Sequence, residues 1–191
     1  LYELPPEEVK SNPPIDSLRE NKVMSLKTRF GNLGNILDFD NLTEENIYVL
    51  DSPILTNSQF KKFKKFFSKK IKVIDCTFDI QNSLKDRIEA IREEAETAVR
   101  EGSTCVVLSD KDFSSKKASI PSILTVGAVH SHLVKHGLRG YCSLNVECSD
   151  AMDTHSFAIL IGVGATTVNP YLAIDSIYQR FEKKLFGKSD F

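Results

Sequence analysis

The sequence predicts an α/β fold of about five β/α units, forming a mostly parallel sheet or a partial (β/α) barrel behind an extended proline-rich arm. Three observations carry this expectation. From residue 46 onward, short continuous apolar runs alternate with longer amphipathic segments, the pattern of buried parallel strands separated by crossover helices. Polar residues recur where each predicted strand ends: Asp51-Ser52, Asp75-Cys76-Thr77, Ser109-Asp110-Lys111, Glu147-Cys148-Ser149-Asp150 and Asn169. The chain's 191 residues suffice for one well-buried domain but fall short of the roughly 250 that an eight-unit barrel needs.

The opening "LYELPPEEVKSNPPIDS" carries four of the seven prolines, which remove backbone donors and favour extended geometry, so residues 1–17 read as a linker or arm and 18–191 as a single α/β domain. Asp16 is placed to cap a helix over 17–30, with Leu18, Val23 and Leu26 near one face, before Gly31 and Gly34 stop it. "NIYVLDSPIL" (46–55) predicts a strand, "NSQFKKFKKFFSKK" (57–70) a helix and "IKVIDCTF" (71–78) another strand. The first of these helices sets Phe60, Phe63 and Phe67 on one face and its lysines on the other, a solvated amphipathic helix rather than a nucleic-acid patch. The clearest helix covers 83–102, with Ser83 as N-cap, Ile88, Ile91, Ala95 and Val99 as its stripe, and Gly102 past its end. "TCVVLSD" (104–110) is a strand. Pro121 opens a helix over 120–137 that Gly137 ends, "GYCSLNVEC" (140–148) is a strand and "SFAILIGVGA" (156–165) a helix. "TTVNP" (166–170) is a very short strand, and residues 171–187 a closing helix.

With 25 Lys+Arg against 26 Asp+Glu, the net charge of −1 gives no long-range field toward nucleic acid or anionic lipid. No apolar run approaches the roughly 18–20 residues of a spanning helix, and the first residues lack a secretion signal, so an intracellular, unanchored protein is expected. Cys76, Cys105, Cys142 and Cys148 never form C-x-x-C and are expected to be buried reduced thiols in a reducing compartment. "IGVGATT" is a lone G-x-G and supports no dinucleotide site, and no G-x-S-x-G elbow marks a nucleophile.

Three of the four histidines fall in "GAVHSHLVKHGLR" (127–139). His132 and His136 are spaced i, i+4 on one helical face, a metal-ligand spacing, whereas His130 points nearly opposite. Two ligands do not make a tetrahedral site, so no metal is expected there and the segment reads as packing or interface. The strand-end polar residues have two explanations: they cap the following helices, or they form a ligand rim.

Several long segments, in order, resemble the central domain of the large (alpha) subunit of glutamine-dependent glutamate synthase: "NPPIDSLRE" with "VMSL", "LDSPILT", "DCTF", "VVLSDK", "IPSILTVGAVHSHLVKHGLR" and "VECSDAMDTHSFAILIGVGATTVNPYLA". The chain departs from the family in Lys111, where arginine is usual, in Ser131 and Ser156, where histidine is frequent, and in a shorter link near "DIQNSLK". The resemblance implies a linking domain between an N-terminal amidotransferase domain and an FMN-binding barrel with an iron–sulfur cluster. That domain helps form the internal path by which ammonia from glutamine reaches 2-oxoglutarate. FMN, the cluster and a reduced donor, NAD(P)H or ferredoxin, are implied for the full-length enzyme, with an electron-donor subunit or domain as a further partner, in cytoplasm or plastid.

Leu1 is no N-terminal cysteine nucleophile, no cysteine cluster is present, and the barrel is missing, so the domain alone is expected to hold no cofactor and to be catalytically silent. Asp110, Lys111, His130, His132, Glu147, Asp150, His155 and Asn169 are the expected contacts to neighbouring domains or to the ammonia path. The alternative is an independent small-molecule α/β enzyme using Asp110, Glu147 and His155 as acid–base groups, and a third reading is a regulatory interaction module.

Overall fold

The computed structural model describes residues 26–30 and 48–185. The arm over 1–17, most of the helix expected over 17–30, and the tail of the closing helix lie outside them.

The centre is a parallel four-stranded sheet in the order β3 (Ile71–Asp75), β5 (Cys105–Ser109), β7 (Ser143–Glu147) and β8 (Thr167–Asn169). Helices α2 (Leu84–Arg100), α3 (Ser122–Lys135) and α4 (Thr154–Gly162) make the three crossovers between successive strands. A single parallel bridge between Ile54 and Val168 lays residues 53–55 alongside β8, with Leu55 N–H donating to the Val168 carbonyl and Val168 N–H to that of Pro53, both at 2.9 Å. Helix α1 (Asn57–Phe66) follows that segment and α5 (Tyr171–Glu182) follows β8. Five strand-to-helix steps therefore succeed one another, the first with its strand reduced to a bridge.

The two faces of the sheet are packed differently, and side-chain alternation along the strands explains how. Val106, Leu108, Leu144, Val146, Ile74 and Val168 point to one face. There they meet Ile91, Ala95 and Val99 of α2, Val126, Val129 and Leu133 of α3 and Leu160 of α4 in one continuous core. Their strand neighbours Cys105 and Val107 point the other way and pack with Leu50, Leu55 and the α1 residues Phe60 and Phe63, followed by Phe67. Ring centroids 5.5 Å apart for Phe60–Phe63, 5.1 Å for Phe63–Phe67 and 5.6 Å for Tyr48–Phe63 make this second core largely aromatic.

Helix termini follow their local chemistry. Thr56 and Gln59 form a reciprocal capping box on α1, Ser83 accepts from Asp86 N–H on α2, and Asp153 accepts from Ser156 N–H on α4. Because Asp153 is the cap, α4 begins at Thr154, ahead of the start expected from the apolar run. Gly102 and Gly137 have φ of 95° and 69° just beyond α2 and α3, the left-handed exits that glycine permits.

Three expectations are corrected. Residues Thr28–Phe30 are not the end of a helix but strand β1, paired antiparallel with β2 (Tyr48–Leu50), so the strand expected over 46–55 divides into that partner and the bridge at Ile54. The strand expected over 71–78 breaks at Cys76. Its N–H goes to the Ser109 carbonyl and its carbonyl accepts from Ile120, and the chain then resumes as β4 (Thr77–Asp79). Strand β4 pairs antiparallel with β6 (Lys117–Ser119), a strand too short and polar to show a period in the sequence. Arg87 fastens the break by donating to the carbonyls of Asp75 and Thr77.

Candidate functional site

The strand register sets Asp75, Ser109, Glu147 and Asn169 side by side in one row at the carboxyl edge of the sheet. Because side chains alternate, this row shares the α1 face with Asn145 and Thr167, two positions earlier. In an open parallel sheet this edge is where ligand sites are built.

Glu147 is the centre of the row. Its carboxylate is 4% exposed and accepts from Ser109 Oγ at 2.9 Å, Lys111 Nζ at 3.1 Å and Lys64 Nζ at 3.3 Å. Burial alone would raise its pKa, but the Lys64 ammonium, the Ser109 hydroxyl and Lys111 outweigh it and hold the carboxyl below its ordinary value. Lys111 also sits 5.1 Å from the centre of the Tyr171 ring, a cation–π contact. Beside this cluster Asp110 Oδ2 accepts from Ser149 Oγ at 2.6 Å, Ser119 Oγ at 2.9 Å and Ser149 N–H at 3.0 Å. Its Oδ1 and the Tyr171 hydroxyl are buried without a well-formed hydrogen bond, the phenol facing the Asp110 carboxylate and Ser149. Burial, then the Asp110 charge, pushes the Tyr171 phenol well above its ordinary pKa, so it stays a protonated donor.

Asp150 and Asn169 work within the fold. The Asp150 carboxylate accepts from Ser122 Oγ at 2.6 Å and Ser122 N–H at 2.8 Å, capping α3, whose own N-cap Pro121 supplies no side-chain bond. A carboxylate there also meets the positive end of the helix. Asp150→Ala is therefore expected to cost about 1 kcal/mol of stability, read as a lower urea midpoint, and Asp150→Asn, which keeps an acceptor, less than that. Asn169 Nδ2 donates to the Leu55 carbonyl at 2.9 Å and to Asn57 Oδ1 at 3.0 Å, tying β8 to the start of α1.

The histidines are dispersed. His155 is exposed on the first turn of α4 and shares no hydrogen bond with Asp110 or Glu147, the two acids named with it for an independent enzyme. His130 is half-buried against Gly164. Its Nδ1 accepts from Arg139 Nε at 3.2 Å, and burial, then the Arg139 charge, lowers its pKa. Arg139 also reaches the carbonyls of Cys142 at 2.6 Å and Gly164 at 2.9 Å, so this histidine belongs to a structural knot before β7 and β8. His132 Nε2 lies 2.6 Å from Glu96 Oε2 of α2, with the His136 ring centred 4.2 Å from its own.

Lys64, Ser119, Tyr171 and Asn145 escaped the sequence reading. Lys64 stands in the lysine-rich face of α1 that was expected to be wholly solvated. Only the fold brings it to Glu147. Asn145 had a visible signal, a single amide inside the apolar run "SLNVE": it is 0% exposed and bonds Thr167 Oγ1, Ser143 Oγ and the Val106 carbonyl.

All four cysteines are free and buried, and burial first of all pushes Cys76, Cys105 and Cys148 up to about 12, so they are protonated thiols. They do not fit the four-thiolate set an iron–sulfur cluster needs: among the described residues the one gathering of three metal-ligating side chains is Glu96, His132 and His136. No helix among the described residues is long and apolar enough to cross a membrane.

Residues 9–190 match the family described as the glutamate synthase central domain. The chain is 50% identical over 180 residues to the glutamate synthase [NADPH] large chain of Azospirillum brasilense, covering 93% of this chain and 12% of that protein. It is 38% identical over 175 residues to the chloroplastic ferredoxin-dependent glutamate synthase of Spinacia oleracea, covering 88% of this chain and 11% of that one. It is also 38% identical over 174 residues to the glutamate synthase [NADH] of Schizosaccharomyces pombe, covering 87% of this chain and 8% of that protein. The chain thus spans about a tenth of the length of the curated relatives it matches.

Proposed function

Since the chain belongs to the glutamate synthase central domain family, we propose that it is the linking domain of such an enzyme. In this reading it joins the amidotransferase domain to the FMN-binding domain of the same polypeptide and walls part of the path along which ammonia travels to 2-oxoglutarate. FMN, the iron–sulfur cluster and the electron donor belong to the whole enzyme. The donor differs among the relatives, whose names specify NADPH, ferredoxin or NADH. We take the whole enzyme to work inside the cell, a reading that the chloroplastic relative supports.

One observation carries the path. At the carboxyl edge the Tyr171 hydroxyl faces the Asp110 carboxylate and Ser149 with no well-formed hydrogen bond, a buried donor and acceptor that a small polar molecule could bridge. The other strand-end groups are held within the chain: Glu147 by two lysines, Asp150 by Ser122 and Asn169 by α1. That arrangement supports a rigid wall more than a set of acids and bases free to exchange protons with substrate. A second feature supports burial by neighbouring domains. Ile177 and Tyr178 of α5 are 59% and 63% exposed, two large side chains that a neighbouring domain would cover.

The test uses the full-length enzyme. Tyr171→Phe and Asp110→Asn are expected to leave glutamine cleavage intact while ammonia escapes, so glutamine consumed per glutamate formed rises above the wild-type ratio. An unchanged ratio in both variants, with folding intact, would return this edge to a purely structural role. Stoichiometric binding of a keto acid by the domain itself would favour the independent-enzyme reading instead.

A further inference from the structure

We propose that Glu96, His132 and His136 form a binding site for a zinc-class divalent cation that clips α2 to α3. The sequence spacing offered two ligands on one helix, and the packing of α2 against α3 supplies the third. One ligand atom from each residue lies within 4.8 Å of the other two, with Glu96 and His132 half-buried and His136 exposed. A cation held at about 2.0–2.2 Å by nitrogen and carboxylate oxygen sets its ligand atoms roughly 3–3.5 Å apart. Glu96 Oε2 lies 2.6 Å from His132 Nε2, a hydrogen bond whose proton the cation would replace, and the near edge of the His136 ring, at Nδ1, is 3.9 Å from the same oxygen. The His136 side chain must rotate to bring Nε2 to the cation.

The surroundings already orient the ligands. Arg100 donates to Glu96 Oε1 from Nε and from its terminal nitrogen, each at 2.8 Å, so Oε1 holds the carboxylate in place and Oε2, now bonded to His132 Nε2, is the oxygen a cation would take. His136 Nδ1 lies 2.8 Å from the His132 backbone carbonyl, which can only accept. The ring proton is therefore on Nδ1, and Nε2 keeps the lone pair a metal takes, the arrangement by which outer partners fix the tautomer of ligating histidines. The exposure of His136 leaves room for water to complete the coordination. Two imidazoles and one carboxylate select zinc and its borderline neighbours over magnesium and calcium, which prefer oxygen.

The experiment titrates Zn2+ into the EDTA-treated full-length protein and into His136→Ala and Glu96→Gln, against a chelating indicator and with excess Mg2+ present. The expected result is one zinc equivalent that Mg2+ does not displace, weakened at least about ten-fold in each variant. His136 is exposed, so the metal-free urea midpoint of His136→Ala should equal that of wild type, which separates ligand loss from misfolding. Zinc binding equal in wild type and both variants, or no zinc equivalent in the wild type, would overturn the site.

Discussion

Gly164→Ala is expected to destabilise the domain by about 3 kcal/mol, a large effect for one added methyl group. Two independent penalties combine. Gly164 has φ of 122°, a conformation that L side chains rarely adopt, and holding another residue there costs about 1–3 kcal/mol. A Cβ at this position would also overlap the His130 ring and lie 2.9 Å from His130 Cβ, an overpacking cost of about 1–3 kcal/mol. His130 has little room to retreat, because Arg139 holds its Nδ1 and is itself anchored on the Cys142 and Gly164 carbonyls. The two contributions separate in a double-mutant cycle of urea midpoints. In a His130→Ala background the ring overlap disappears and only the backbone penalty and the 2.9 Å contact with the Cβ at 130 remain, so Gly164→Ala should cost less there than in wild type. Equal costs in both backgrounds would show that the ring and the glycine do not oppose each other.

This contact shows where sequence reasoning stops. "IGVGATT" is visible as a lone G-x-G, and close packing is the expected use of such glycines, but the sequence does not say that the packing partner is a histidine 34 positions earlier (164 − 130). The same division runs through the fold. Strands β5 and β7 and helices α2 and α3 were legible because each carries a strong local signal: a continuous apolar run, a capped amphipathic stripe, or a proline opening and a glycine closing a helix. Strands β1, β4 and β6, three residues each, take their conformation from cross-strand partners, and no period can be read from so few positions.

The polar edge was legible as a row of strand ends, and the capping explanation offered for it finds a residue in Asp150, whereas Asp110 and Glu147 are held by serines and lysines of the chain itself. What remained hidden were the partners from elsewhere in the chain. Lys64 lies 83 positions from Glu147, and Glu96 lies 36 from His132, separations that only the packing of α1 on the sheet and of α2 on α3 can close.

The Glu147 cluster gives the second large effect, and its pH dependence distinguishes charge from shape. Glu147→Ala removes the acceptor of the Ser109 hydroxyl and the counter-ion of two lysines at a position that is 4% exposed. A fully buried pair would cost about 3–5 kcal/mol to break, but Lys64 and Lys111 are 32% and 52% exposed along their side chains and can turn to water. About 2–3 kcal/mol is therefore expected at pH 7. The folded-state pKa of Glu147 lies below its ordinary value of 4.5. The stabilisation from its charge is accordingly complete above the ordinary carboxylate range and is lost as pH falls through the lower, folded-state value. Glu147→Gln keeps the shape and an acceptor for Ser109 but not the charge. Its deficit in urea midpoint should therefore be present at pH 7 and shrink toward zero in acid, while part of the Glu147→Ala deficit persists there as lost packing. A Glu147→Gln deficit of the same size at pH 7 and well below pH 4.5 would show that the two lysines contribute contact and not charge.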